Sequence, residues 1–295
     1  MKNYLLHLRP QSFPVTFFAV ITGYALSPEK PGEVIEIVKD LGVLFLIFSV
    51  LLWGGTNAFN SGQDGNEGPL TLLPNPPRVP KHLSIFGFVL MSLAVAFSFF
   101  ISLRLACWTS IGVLLSLFYS WKNPFFKRGK DIPVVDMLIN TIGFGFCSIL
   151  FGYLVTDAAI TSTVMLVGVG FTFAYLGGMP TSQIFQLNET LDTTNNYTTL
   201  FGVENVLKLG AVFFLLHLAF LGFAFTDITY LKTHPVALSF WFVWFILVFS
   251  SAVHSFWWSR TSYKNPYKRM NRQMIMMMGS QIAWTVYAWL ENERR

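Results

Sequence analysis

Apolar runs recur along the whole chain, separated by short polar breaks. A membrane-crossing helix needs about 20 mostly apolar residues. Nine stretches approach or exceed that length: 12–28, 40–60, 83–103, 105–121, 133–156, 159–180, 201–226, 235–257 and 273–290. Arg104 alone separates the third from the fourth, which predicts a tight helical hairpin. The segment 65–80 contains Pro69, Pro74, Pro76, Pro77 and Pro80, so it is not expected to be helical throughout. The segment 188–199 is polar and reads as a loop or a helix end. No connection has room for a soluble domain and no internal repeat is visible. The expected fold is therefore all-α: a multi-pass transmembrane bundle of about nine helices forming a single domain over 1–295.

Composition agrees. Of the 295 residues 53% are hydrophobic and only 12% charged, against roughly 25% charged in soluble domains. The net charge of +5 matters less than its distribution. Nine crossings place the termini on opposite sides. Fourteen of the 20 Lys and Arg then fall on the side of the N-terminus, which the positive-inside rule makes cytoplasmic: N-in, C-out. No basic tract resembles a nucleic-acid arm, so no nucleic-acid partner is expected, whereas membrane lipid is. Cys107 and Cys147 lie in apolar stretches and read as core residues. The first fourteen residues do not resemble a cleaved signal, so the first run is expected to be retained.

The polar residues that interrupt the pattern gather on the cytoplasmic side. The second run ends in Asn57, Asn60, Asp64 and Glu67, spaced three, four and three apart, which puts them on one face if the helix continues. Polar groups on a membrane helix are costly unless they face protein, water or an ion. Oxygen donors at this spacing suit Mg²⁺, which takes one or two carboxylates and completes its shell with phosphate oxygens. After the sixth run come Gln183, Gln186, Asn188, Glu189 and Asp192, again at helical spacing and on the same side. Between the two clusters the turn Tyr119-Ser120-Trp121-Lys122-Asn123-Pro124 leads into Lys127, Arg128 and Lys130; Arg78 and Lys81 follow the Pro-rich segment. Acids and cations on one face predict a diphosphate–Mg²⁺ site. Asp136 and Asn140 in the fifth run either orient a second substrate or pack helices.

The pattern Asn60-x-x-x-Asp64, a Tyr119-Ser-x-x-x-Pro124 turn and Asn188-x-x-x-Asp192 resembles the UbiA superfamily of intramembrane prenyltransferases, over essentially the whole chain. Asn57-Ala-Phe-Asn60-Ser and Glu67-Gly-Pro look like a bacterial subgroup of it, which implies a bacterial inner membrane and a site facing the cytoplasm. The resemblance implies an Mg²⁺-dependent prenyltransferase. Its two acidic motifs would hold the metal against an isoprenoid diphosphate donor, with Asp64 and Asp192 central to catalysis. Carried over by position, Asn60, Asp64, Glu67, Asn188, Glu189 and Asp192 would be metal ligands. Asn57, Arg78, Lys81, Tyr119, Lys122, Lys127, Arg128, Gln183 and Gln186 would bind substrate. The motifs depart from the family pattern. Ser61 replaces a second acid, Glu67 stands in near Gly68, Asn188 replaces an Asp, and Asn123 occupies a usual Lys position next to Lys122. The acceptor is not named by the sequence. Two rival readings are a membrane terpene cyclase acting on the same donor, which the altered motifs permit, and a lipid or solute carrier. Carriers place broken helices near the midplane and carry internal repeats, whereas the polar residues here sit at helix ends.

Overall fold

The computed structural model of the chain describes residues 1–65, 75–187, 196–225, 228–261 and 266–293. Every regular element among them is helical. A short α1 (Lys2–His7) precedes α2 (Phe13–Leu26). The second rod is continuous: α3 (Val34–Leu44), a π-helical stretch (Phe45–Gly54) and α4 (Gly55–Asp64). The predicted hairpin is α5 (Leu83–Ile101) and α6 (Leu103–Ser120). Ser102 between them is extended, and its hydroxyl accepts from the Leu105 N–H to cap α6 (3.1 Å). The fifth rod is α7 (Pro133–Thr141), a second π-helical stretch (Ile142–Cys147) and α8 (Ser148–Leu154). Then follow α9 (Ser162–Gly178), α10 (Pro180–Leu187), α11 (Tyr197–Phe201), α12 (Val203–Phe225), α13 (Ile228–Thr233), α14 (Pro235–Ser259) and α15 (Pro266–Asn292).

Each of the nine apolar runs falls on one of these rods. Among the described residues, six rods are long and apolar enough to cross a membrane: 83–101, 103–120, 133–154, 162–184, 203–223 and 235–259. The others differ for visible reasons. α2 has 14 residues, the apolar stretch of the 34–64 rod is π-helical over Phe45–Gly54, and α15 opens on Lys268, Arg269 and Arg272. The expected loop at 188–199 ends in a helix start, where Asn196 and Thr199 form a reciprocal capping box on α11. Large apolar side chains cover the outside, among them Phe88, Phe97, Phe99 and Phe100 on α5. Such a surface is a liability in water and is solvated by lipid. Cys147 is buried as expected, but Cys107 is exposed, because α6 turns that face outward.

The interior is aromatic, with Tyr24, Phe48, Phe151, Trp244, Trp284 and Tyr287 fully buried. Without a hydrophobic drive between helices in lipid, small residues set the closest approaches. Gly23 on α2 and Gly152 on α8 meet so closely that a Cβ on either would collide with the other helix's backbone. The rods alternate between two ends. At one end Arg104 reaches the carbonyls of Asp157 and Ala158, and Asn292 those of Ala25 and Ser27. The other end gathers the last turn of α4, the end of α6, the start of α7 and the end of α9–α10.

Candidate active site

Asn57, Asn60, Ser61 and Asp64 occupy one side of the last turns of α4, as their spacing predicts. The helix stops at Gly65, whose φ of 66° is the left-handed conformation of a C-terminal glycine, with its N–H on the Ser61 carbonyl (3.0 Å). The expected face therefore does not continue as helix to Glu67. Glu67 itself, with Asn188, Glu189 and Asp192, lies outside the described residues.

The basic turn after α6 folds back onto this helix end. The Asn123 side-chain oxygen accepts from the N–H groups of Phe125 (2.9 Å) and Phe126 (3.0 Å), shaping the turn as a local side-chain cap. A 3₁₀ turn, Gly129–Asp131, then presents two cations to Asp64. Arg128 Nη1 donates to Asp64 Oδ1 (2.9 Å) and Lys130 Nζ to Asp64 Oδ2 (2.5 Å). Arg128 is also forked onto Asp131 through Nε (2.7 Å) and Nη2 (3.0 Å). Burial opposes the Arg128 charge, but the bonds to Asp131 and Asp64 outweigh it and raise its pKa above the ordinary value. Lys122 donates its N–H to Gln63 Oε1 (3.0 Å) and its ammonium to the Asp64 carbonyl (3.4 Å), the favourable place for a cation at a helix C-terminus.

A third cation arrives from the N-terminus. Arg9 adopts φ 56°, an uncommon left-handed conformation for a non-glycine residue, just before the 3₁₀ turn Pro10–Ser12. Its Nη2 donates to Ser61 Oγ (3.3 Å), while its buried Nε has no hydrogen-bond partner among the described residues. Burial lowers the Arg9 pKa, and Asp64 is among the groups opposing that shift. Asn57 ties the same segment down by donating to the Leu8 carbonyl (3.2 Å), and Asn60 Oδ1 accepts from Ser120 Oγ (3.1 Å).

Beside this cluster Asp136, in the first turn of α7, is buried at 3% exposure. It accepts from the Tyr119 hydroxyl (2.9 Å), from Asn140 Nδ2 (3.2 Å) and from Gln183 Nε2. Gln183 Oε1 in turn accepts from the Thr198 N–H (3.2 Å) and hydroxyl (3.0 Å). Toward the middle of the bundle the rings of Trp53 and Phe144 are 4.7 Å apart, and Phe144 stacks on Tyr175 at 6.3 Å. The Trp53 indole N–H is buried there with no hydrogen-bond partner among the described residues.

The structure thus brings together Asn57, Asn60, Asp64, Tyr119, Lys122, Arg128 and Gln183. Arg78, Lys81 and Lys127 are exposed. Gln186 belongs to α10 by its backbone, but its side chain lies outside the described part. Among the described residues no three His, Cys, Asp or Glu side chains converge as a metal cluster. Sequence reasoning placed Lys130 among the cations of the turn without pairing it to Asp64, and did not assign Arg9 to the site. Nothing local distinguishes them from the other cations of that side. Asp136 did carry a signal, as an ionisable residue within an apolar run.

Neither a protein-family model nor a curated protein matches the sequence. Solved structures do match the fold over nearly the whole chain. A digeranylgeranylglyceryl phosphate synthase is 15% identical with a TM-score of 0.67, and 98% of each chain is covered. A UbiA homologue from Archaeoglobus fulgidus bound to DMAPP and Mg²⁺ is 16% identical with a TM-score of 0.65, covering 99% of each chain. The same homologue bound to GPP and Mg²⁺ gives 15% and 0.65 over 99% of each. At these identities the likeness establishes the fold.

Proposed function

We propose that the chain transfers a prenyl group, within the membrane, from an isoprenoid diphosphate to a lipophilic or aromatic acceptor. The observation that carries this reading is the convergence of Arg9, Arg128 and Lys130 around Asp64, directly above an aromatic interior. Arg128 and Lys130 bind the Asp64 carboxylate, Arg128 is shared with Asp131, and Arg9 stands on the neighbouring Ser61, so an incoming diphosphate would meet a group of cationic donors. The solved structures of the same fold with DMAPP or GPP and Mg²⁺ support it.

Arg9, whose buried Nε has no partner among the described residues, and Arg128 and Lys130 would take the phosphate oxygens. Their charge favours departure of the diphosphate, because fixed charge in a water-poor site stabilises developing charge without reorganisation. Asp64 and Asn60 are hard oxygen donors one turn apart, the type that suits a divalent ion, and an ion there would take the place of Arg128 or Lys130 on an Asp64 oxygen. Mg²⁺ held there, with Glu67, Asn188, Glu189 and Asp192 as the further ligands we assign, would supply charge against the leaving diphosphate. Trp53, Phe144 and Tyr175 offer ring faces to the allylic cation. The apolar interior holds the prenyl chain and keeps water from capturing the cation. Lys122, Lys127, Arg78 and Lys81 form a cationic rim that draws the donor in, and Gln183 acts through Asp136.

All nine rods would cross a bacterial inner membrane as one catalytic unit over 1–295, N-in and C-out, with the site facing the cytoplasm. Full-length coverage of chains with this fold supports a single unit. The test is diphosphate release by purified protein from geranyl or dimethylallyl diphosphate. Release should require Mg²⁺, stop on chelation and return on Mg²⁺ addition; no release from any allylic diphosphate would refute the reading. Product mass separates transfer from cyclisation.

A further inference from the structure

Every fate of an allylic cation in such a site ends in one common loss. The donor C–O bond breaks and diphosphate leaves with the electron pair. A hydroxyl or an aromatic carbon then forms a bond to the cation with its own electrons, or the cation eliminates. In each case one proton is shed. Water is scarce inside the bundle, so the proton goes to the departing diphosphate or to a protein group.

The described carboxylates at this end are not equivalent. Both oxygens of Asp64 are held by cations, and Asp131 is forked by Arg128. Among the described residues the hydrogen-bond partners of Asp136 are neutral donors: Tyr119 and Asn140 on Oδ1, and Gln183 on Oδ2. An ionised carboxylate has about four lone-pair sites, so the three donors leave capacity for a proton. Donors on both oxygens call for a carboxylate, since an asparagine would set its own N–H group against Gln183; Lys130 lies within electrostatic reach but forms no ion pair with Asp136 among the described residues.

The geometry points to Asp136 as the group that receives the proton shed when the prenyl cation is consumed, reached through the Tyr119 hydroxyl. The inference rests on the diphosphate-cleaving reading above. Tyr119 connects the two layers: it donates to Asp136 at 2.9 Å, and both Asp64 and Arg9 lie within electrostatic reach of it. As the acceptor's proton passes to the Tyr119 oxygen, the Tyr119 hydrogen passes to Asp136 Oδ1, so the phenol ends as it began. Asn140 and Gln183 orient the carboxylate, and Thr198 fixes Gln183. The role is independent of which acceptor is used.

The test uses the full chain in detergent with geranyl diphosphate, Mg²⁺ and two hydroxyl-bearing acceptors, a naphthol and a monoalkylglycerol. The quantity read is the yield of products that incorporate no water, prenylated acceptor plus geranyl-derived hydrocarbon, per diphosphate released; geraniol also sheds a proton, but entering water takes it. A role confined to packing would change the rate of release but not this ratio. In Asp136→Asn and in Tyr119→Phe the ratio should fall on the order of 100-fold, with geraniol taking its place, as expected for loss of a positioned proton acceptor. Asp136→Glu should recover part of it. An unchanged ratio in both variants, loss of release altogether in both, or a wild-type protein that yields geraniol alone would each overturn the inference. If Asp136→Asn does not fold, Tyr119→Phe decides. A wild-type protein that releases no diphosphate would instead remove the reading beneath it.

Discussion

Arg104 and Arg128 sit at opposite ends of the bundle and show two uses of one residue type. The Arg104 side chain is 51% exposed and donates to two backbone carbonyls, with Asp157 3.8 Å away and 59% exposed. The Arg128 side chain is 15% exposed and binds Asp64 and Asp131 together. Around Arg104 the far end is closed by neutral bonds: Ser27 to Thr156 (2.5 Å), Asn292 to two carbonyls, and Tyr230 to the Leu290 carbonyl (2.9 Å). Around Arg128 the near end keeps charges shielded from water and concentrates them. The far end ties helix ends together. The near end holds a surplus of positive charge that an anion can complete.

Substitutions should separate the two ends sharply. The largest effect is expected from Asp64→Asn, which removes the charge that gathers Arg128 and Lys130. Diphosphate release should fall by about 10³-fold, with thermal unfolding in detergent little changed. Next is Lys130→Met. Loss of one charge-assisted bond to the donor should raise KM for geranyl diphosphate by roughly 10- to 100-fold, with a smaller change in kcat. Gly152→Val tests the scaffold between the ends. The added side chain must push α8 off α2, costing about 1–3 kcal/mol in detergent unfolding. The smallest effect belongs to Arg104→Ala. An exposed pair contributes about 0–1 kcal/mol, and diphosphate release should match wild type. If Arg104→Ala reduced release as strongly as Lys130→Met, the contrast between the ends would collapse.

The rods were legible because apolar runs of membrane length dominate the chain. Their ends were less so. The second rod begins at Val34 rather than 40, since Val34, Ile35 and Val38 expose an apolar face around Glu36 and Lys39. α15 extends to Pro266–Asn292 because its flanking polar turns remain helical. At the site, the Asn57–Asn60–Asp64 spacing was readable because helical periodicity is local. The stop before Glu67 was readable too, in Gly65, had its role as a helix terminator been weighed. The partners of Asp64 were not readable. Arg128 and Lys130 lie more than sixty residues away in sequence, and Arg9 competes with many equivalent cations. Which of them reaches Asp64 depends on a 3₁₀ turn and on a left-handed residue that leave no periodic trace.

The two π-helical stretches have a consequence for how this chain tolerates change in length. One precedes Asn60 and Asp64 in the same rod, and the other follows Asp136 in its rod. A π turn holds an extra residue within an α-helical path, so each stretch fixes the rotational phase between an apolar half and a polar half. Tightening one π turn to an α turn would absorb a one-residue deletion within Phe45–Gly54, whereas the same deletion within α4 would turn its end by about 100° and shift it about 1.5 Å along its axis. Asp64 would then face away from Arg128 and Lys130. Phase along the rod, rather than composition, is what keeps the carboxylate on target, and a deletion within α4 would be far less tolerated than one within Phe45–Gly54.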